Sequence, residues 1–82
     1  MRIDKFLKVS RIIKRRTLAK EAAVRKLLTI GDKELKPSYQ VKVNDIITLT
    51  LGFKIIVFKV LSLSKLEEMY LIVSETFRKG EN

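Results

Sequence analysis

The sequence predicts a single α+β domain in which two N-terminal helices pack on a small, mainly antiparallel β-sheet, with a helix at the C-terminal end. The 82 residues leave room for one small domain. Apolar residues recur at helical spacing in the first third of the chain, and β-branched residues then dominate the middle. Basic residues are concentrated in the same first third, which indicates a charged face on the helical layer.

The first third of the chain is predicted to form two helices. Apolar residues recur every three or four positions from Ile3 to Ile13, which is typical of one helical face, so we expect a helix over about 3 to 13. Thr17 is predicted to cap a second helix, whose inner face carries small alanines that allow close packing. The basic segment Lys14-Arg15-Arg16 would then form the turn between the helices.

The middle of the chain is predicted to form the sheet. Gly31-Asp32 and Gly52-Phe53 each separate two short apolar runs, the pattern of a β-hairpin. The longest β-branched runs cover residues 46 to 51 and 54 to 61. Asn44-Asp45 supplies a further turn before the first of these runs.

The segment after the sheet is predicted to be helical. Ser64 followed by Glu67 matches a capping box, which opens helices. Met69, Tyr70 and Val73 follow at spacings compatible with the inner stripe of a helix that runs to about Phe77. We therefore expect a helix there, with a frayed tail from residue 78.

Charge is the strongest functional signal in the sequence. Eighteen Lys and Arg residues against nine Asp and Glu give a net charge of +9, and residues 1 to 26 account for +8 of it. A one-sided excess of this kind predicts a face for a polyanionic partner. The basic candidates for that face are Arg2, Lys5, Lys8, Arg11, Lys14, Arg15, Arg16 and Lys20.

Each of these residues also has a plainer interpretation. The segment 14 to 16 can be a solvated loop, and the other cations can form the polar side of an ordinary amphipathic helix. Asp4 can simply complement the dipole of the first helix. Phe6 and Phe58 are predicted to lie in the core, whereas turn aromatics such as Tyr39 can either stack on bases or cover the core.

Catalysis, metal binding and membrane insertion find no support in the sequence. The chain lacks His and Cys, so the usual general base and nucleophiles are missing, and no metal-ligand spacing or glycine-rich phosphate loop occurs. No apolar run approaches the ~20 residues of a membrane span, and the charged N-terminus is unlike a secretory signal. We expect a cytoplasmic protein that is not an enzyme and has no cofactor.

Two segments resemble the S4 RNA-binding domain family. The first runs from Arg2-Ile3-Asp4-Lys5-Phe6-Leu7 to Arg11-Ile12-Ile13-Lys14-Arg15-Arg16-Thr17, and the second comprises Lys36-Pro37-Ser38-Tyr39 and Val41-Lys42-Val43-Asn44-Asp45-Ile46-Ile47. The resemblance implies an S4-type fold. We expect the S4 domain to cover residues 1 to 62 and residues 63 to 82 to form the helical extension and tail. The resemblance also places Asp4 beside the RNA-facing Arg2 and ranks Arg2 and Arg16 first among the RNA contacts.

Within the family, the chain is most similar to stand-alone members that act in ribosome-associated quality control, which are related to the ribosome-binding heat-shock S4 proteins. This resemblance implies a protein that binds structured RNA, namely rRNA of the large ribosomal subunit and peptidyl-tRNA, and we expect it to be a monomer. The resemblance also implies an RqcH-type elongation partner that adds alanine to the stalled chain. The alternatives are a general role in ribosome assembly or in heat-shock recycling of large subunits and, from another class, a non-specific DNA-binding or membrane-surface protein.

The chain departs from the family pattern at two turns. Residues 26 to 32 lack the glycine that usually ends the second helix of the family and the Asn-Gly turn that follows it. Asn44 stands where glycine is common, and Asn tolerates the left-handed backbone region. Because of the first departure, the sequence predicts no specific geometry for the joint between the second helix and the first strand. The second departure is compatible with an ordinary turn.

Overall fold

The computed structural model describes residues 1–77, which form two helices followed by five strands. The helices are α1 (Ile3–Val9) and α2 (Arg16–Val24). The strands are β1 (Leu28–Ile30), β2 (Lys33–Glu34), β3 (Ile46–Leu51), β4 (Lys54–Val60) and β5 (Tyr70–Phe77). The predicted α+β class, with two N-terminal helices and an antiparallel sheet, is confirmed.

The five strands form one antiparallel sheet in the order β2-β1-β3-β4-β5. Both predicted hairpins are present, β1 with β2 and β3 with β4. Gly31 and Gly52 at their turns have φ of 59° and 58°, a region that glycine enters without the steric cost of a Cβ. Asn44 adopts φ 79°, so the tolerance expected of it is used.

The core lies between the helices and one face of the sheet. Phe6 of α1 stacks on Phe58 of β4 with ring centroids 6.2 Å apart, and Tyr70 of β5 meets Phe58 edge-on at 6.1 Å. Phe6 and Phe58 are fully buried, as predicted. Ala19, Ala22 and Ala23 bury the inner face of α2, where small side chains let the helix approach closely. This packing fixes the positions of both helices, which carry the basic residues.

Both helices have different limits from those predicted. α1 ends at Val9 and not at 13, because Arg11 adopts φ 68°, which cannot continue a right-handed helix. α2 begins at Arg16, so Thr17 is not its cap; the extended Arg15 holds the N-cap position without a side-chain hydrogen bond. The segment between the helices is consequently longer than a three-residue turn.

The joint after α2 uses a lysine where the family usually has glycine. Lys26 adopts φ 63°, and its N–H donates to the carbonyl of Ala23 at 3.0 Å. The N–H of Leu27 donates to the carbonyl of Ala22 at 2.9 Å. These two bonds form a Schellman motif, which satisfies the last carbonyls of the helix despite the unfavourable backbone angle of Lys26.

The predicted C-terminal helix is wrong. Ser64 and Glu67 form a turn, in which the Leu66 N–H donates to Ser64 Oγ at 3.2 Å, and the chain then continues as β5. Residues 70 to 77 are mostly β-branched or aromatic, and the open edge of β4 offers them a full hydrogen-bonding partner. Met69 and Tyr70 still face the core, as expected. The tail expected from residue 78 lies outside the described residues, and the boundary at residue 62 stays a prediction.

Candidate nucleic-acid interface

The eight basic candidates all lie on the helical layer and are exposed to solvent. Arg2 precedes α1, Lys5 and Lys8 lie on it, and Arg11 follows it. Lys14 and Arg15 lie in the connection to α2, and Arg16 and Lys20 lie on α2 itself. The charge that the sequence places in its first third is therefore exposed along the two helices and the segments that flank them.

Asp4 joins two of these cations at a buried point. Its side chain is only 2% exposed, and its Oδ2 accepts a hydrogen bond from Arg2 Nη2 at 3.2 Å. Arg16 Nη2 lies 3.5 Å from Oδ1, which accepts no hydrogen bond within the described residues. The two arginine side chains are 44% and 50% exposed. One carboxylate thus holds two guanidinium groups at the surface with a net charge of +1 and several N–H donors still facing solvent.

The position of Asp4 is fixed by the loop that precedes β3. The N–H groups of Ile3 and Asp4 donate to the carbonyls of Tyr39 and Pro37 at 2.8 and 3.4 Å. The Val41 N–H donates to the Met1 carbonyl at 2.9 Å. These bonds fix the backbone of residues 1 to 4. The residues before and after Arg2 are therefore both held by the loop, and Arg2 does not lie on a free N-terminal end.

Tyr39 supports this loop and partly covers the core. Its hydroxyl donates to Asp45 Oδ2 at 2.7 Å, and the same oxygen accepts the Lys42 N–H at 2.9 Å. The ring packs against the core. Partial burial, together with the hydrogen bond to Asp45 and its negative charge, raises the pKa of Tyr39 to about 12. The tyrosine therefore remains a neutral donor over the physiological range.

The surface of the helical layer contains two basic grooves. Arg2, Asp4, Arg16, Thr17 and Lys20 line the first, a groove of about 330 Å³. Lys8, Val9 and Arg11 line the second together with Lys65, which comes from the connection between β4 and β5. Lys65 was missed in the sequence, since no local pattern signals that this connection lies against the end of α1.

The remaining candidates lie outside these grooves. Lys14 borders an apolar groove formed by side chains such as Ile12, Leu18 and Leu51, whereas Lys5 and Arg15 line none of the three. The structure thus brings Arg2, Asp4, Arg16 and Lys20 together, and separately Lys8 and Arg11.

Neither a metal site nor a membrane-spanning helix is found among the described residues. Across residues 1–77, no group of three or more acidic residues is arranged to hold a metal ion. No helix in that part of the chain has the length and apolar character to cross a membrane.

The chain is similar to a known protein family and to named bacterial proteins. Residues 1–47 match the family model of the S4 domain. The RQC P-site tRNA stabilizing factor of Streptococcus pneumoniae is 47% identical, with 100% of this chain and 99% of that protein covered. The protein of the same name from Bacillus subtilis is also 47% identical, with coverage of 92% and 94%.

A solved structure shares the fold. The trimeric structure of Vibrio cholerae heat shock protein 15 superposes with a TM-score of 0.80 at 23% identity, over 90% of this chain and 82% of that one. This likeness shows the shared fold. The family match and the identity to the relatives show that the chain belongs to the S4 domain family and, within it, to the family of the RQC P-site tRNA stabilizing factors.

Proposed function

We propose that this protein binds structured RNA through the outer surface of α1 and α2 and acts in ribosome-associated quality control. Its target in this proposal is a large ribosomal subunit that carries a stalled peptidyl-tRNA. The protein contacts rRNA and the tRNA at once and holds the tRNA in the P site, while an RqcH-type partner extends the stalled chain with alanine. It acts as a monomeric cytoplasmic binding protein and not as an enzyme.

The RNA-binding part of the proposal is supported chiefly by the pair formed by Arg2 and Arg16 at Asp4. Guanidinium groups suit phosphate because their N–H donors match two oxygens at once. Arg2 and Arg16 are already held by Asp4, so less side-chain freedom is lost when RNA binds. Duplex RNA is recognised mainly through its shape, phosphates and 2′-hydroxyl groups, which fits a rigid pair of helices with projecting cations.

The relatives support the ribosomal part of the proposal. Two proteins that are 47% identical are named RQC P-site tRNA stabilizing factors, and the alignments extend over nearly their full lengths. The resemblance covers the helical layer, since the S4 model matches residues 1–47 and includes both α1 and α2. The names of the relatives thus support the ribosomal target, and the contacts of Arg2 and Arg16 with Asp4 support the RNA-binding surface.

A gradient sedimentation experiment in cells tests the proposal. Tagged wild-type protein is compared with Arg2→Ala/Arg16→Ala, and every fraction is probed for peptidyl-tRNA and for alanine tails on a stalled reporter. Lys33→Ala/Lys59→Ala is the matched control, because it removes the same charge from β2 and β4, which contain none of the candidate residues. We expect wild type and control to sediment with subunits that carry peptidyl-tRNA, and the arginine variant to be lost from them.

The same gradient distinguishes the alternatives. Sedimentation of the wild type only with empty subunits would replace quality control by a role in assembly or recycling. Absence from all ribosomal fractions, with equal competition by duplex DNA or anionic vesicles, would refute the ribosomal function and favour a non-specific polyanion binder. Unchanged alanine tailing in cells that lack the protein would remove the proposed support of the elongation partner.

A further inference from the structure

The connection between β4 and β5 forms a closed turn. At its base, the N–H groups of Leu61 and Ser62 both donate to the carbonyl of Met69, at 2.9 and 3.4 Å. Leu61 and Met69 are thereby held together, so the residues between them form a defined projection from the end of the sheet.

Serine side chains fix the interior of this turn. Ser62 Oγ donates to Glu67 Oε1 at 2.6 Å and accepts the Ser64 N–H at 3.0 Å. The Leu66 N–H donates to Ser64 Oγ at 3.2 Å. The Ser64 and Glu67 motif, which the sequence suggests as the start of a helix, therefore stabilises a turn with Lys65 at its tip. Glu67 is engaged with Ser62 in this arrangement.

Lys65 lies at the C-terminal end of α1. With Lys8, Val9 and Arg11 it lines a groove of about 370 Å³ that has no acidic residue in its wall. All three cations are exposed, and within residues 1–77 none of them forms an ion pair. Three like charges around one groove repel one another, and a bound anion relieves that repulsion.

We propose that Lys8, Arg11 and Lys65 form a phosphate-binding site for the RNA backbone. This proposal rests on the proposed function and extends its surface beyond residues 1–47, which match the S4 model. Lys65 comes from a different part of the chain, and the groove brings it to the same helix that starts beside Arg2. The turn between β4 and β5 thus becomes part of the RNA interface.

The geometry of α1 links this site to the arginine pair. A helix of seven residues is about 10 Å long. Arg2 stands before its first turn and Arg11 after its last, so the two groups of cations lie at opposite ends of one short helix. A single RNA strand or duplex laid along α1 can contact both, with several backbone phosphates between them.

The test measures how salt affects RNA binding by purified full-length variants. The probes are a fluorescent duplex RNA hairpin and, separately, purified large ribosomal subunits, each titrated between about 50 and 200 mM salt. Lys65→Ala is compared with the wild type, Lys65→Arg and the charge-matched control Lys33→Ala, which changes the edge strand β2. Circular dichroism verifies that the exposed substitution leaves the fold intact.

We expect Lys65→Ala to weaken hairpin binding about threefold to tenfold and to lower the magnitude of the salt slope by about one. Lys65→Arg should restore both quantities, and Lys33→Ala should leave the slope near that of the wild type. Equal effects of Lys65→Ala and Lys33→Ala on the hairpin would overturn the phosphate site, as would a wild type that binds no hairpin at all. Failure of wild-type protein to bind subunits, with the Lys65 effect retained on the hairpin, would overturn the ribosomal function alone.

Discussion

The guanidinium group of Arg16, in the first turn of α2, lies 3.5 Å from the carboxylate of Asp4, in the first turn of α1. The same carboxylate holds Arg2 at 3.2 Å. Asp4 thus links the two helices and orients the two cations that matter most in the proposed RNA surface. In this account Asp4, a negative residue within a basic surface, contributes to RNA binding by positioning Arg2 and Arg16. Removing its charge is therefore predicted to weaken RNA binding, whereas net charge alone would predict tighter binding.

Asp4→Asn should weaken RNA binding although it makes the protein more positive. Without the carboxylate charge, Arg2 and Arg16 lose their common anchor, and more of their freedom must be lost on binding. We expect the affinity for a duplex RNA hairpin to fall about threefold to tenfold and the free energy of unfolding to fall by about 1 to 3 kcal/mol. Fluorescence anisotropy and urea titration measure the two quantities.

Glu21→Gln is the control for this change. It adds the same unit of positive charge on α2 but involves an exposed ion pair with Arg25. Its affinity for RNA should equal or slightly exceed that of the wild type, because the change adds a positive charge. The fold should be unaffected, since exposed ion pairs contribute little to stability. An equal gain in RNA affinity for Asp4→Asn and Glu21→Gln would show that net charge alone decides affinity and that Asp4 positions nothing.

Phe6 and Phe58 should show coupled effects on stability. Their rings stack at 6.2 Å and attach α1 to the central part of the sheet. Each change to Leu should cost about 1 to 2 kcal/mol, and a double-mutant cycle should give a coupling of about 0.5 to 1.5 kcal/mol. Phe53→Leu, at an exposed hairpin tip, is the control and should change stability by less than about 0.5 kcal/mol. Strict additivity for the Phe6 and Phe58 pair, measured by urea unfolding, would contradict the stacking.

Lys26→Gly should stabilise the protein. Lys26 holds φ 63° at the end of α2, where glycine avoids the steric cost of a Cβ. The gain of about 0.5 to 1 kcal/mol exceeds the loss of its exposed 3.8 Å contact with Glu34. The urea midpoint should rise with an unchanged m value. Lys20→Gly, inside the same helix, should lower the midpoint, and a fall for both variants would contradict the role assigned to the backbone angle of Lys26.

The Tyr39 hydroxyl should contribute stability only below strongly alkaline pH. The pKa of Tyr39 is raised from 10.0 to about 12 in the folded protein, so its contribution is complete below pH 10.0 and is lost as the pH rises through about 12. At neutral pH, Tyr39→Phe should cost about 1 kcal/mol, because Asp45 loses a hydrogen bond.

The difference in free energy of unfolding between the wild type and Tyr39→Phe should therefore become smaller above pH 10.0. Phenolate absorbance, followed in the wild type and in Tyr39→Phe, assigns the titration to this residue. Titration of Tyr39 near its ordinary pKa would contradict the hydrogen bond to Asp45.

Local sequence patterns predict the helices and hairpins better than they predict the last strand. Spacing of apolar residues locates α1 and α2, and Gly31 and Gly52 mark two turns whose positive φ values favour glycine. The Ser64 and Glu67 motif is equally local, but its side chains form hydrogen bonds within a turn and not a capping box. The structure of residues 70 to 77 depends instead on the free edge of β4, which is a tertiary feature.

The same distinction applies to the candidate site. Charge clustering identifies the face, and the S4 resemblance singles out Arg2, Asp4 and Arg16, which the structure brings together. Lys65 could not be found in this way, since its place beside α1 follows from the closure of a turn by Met69.

The most direct test of the proposed RNA surface measures affinity for purified large ribosomal subunits that carry peptidyl-tRNA, across a series of salt concentrations. Arg2→Ala/Arg16→Ala should bind at least about tenfold more weakly than wild type, with a salt slope lower in magnitude by about two, because two phosphate contacts are lost. Lys33→Ala/Lys59→Ala, with the same net charge, should bind nearly as well as wild type. Equal affinities and equal salt slopes for the two double variants would contradict a surface centred on the arginine pair at Asp4.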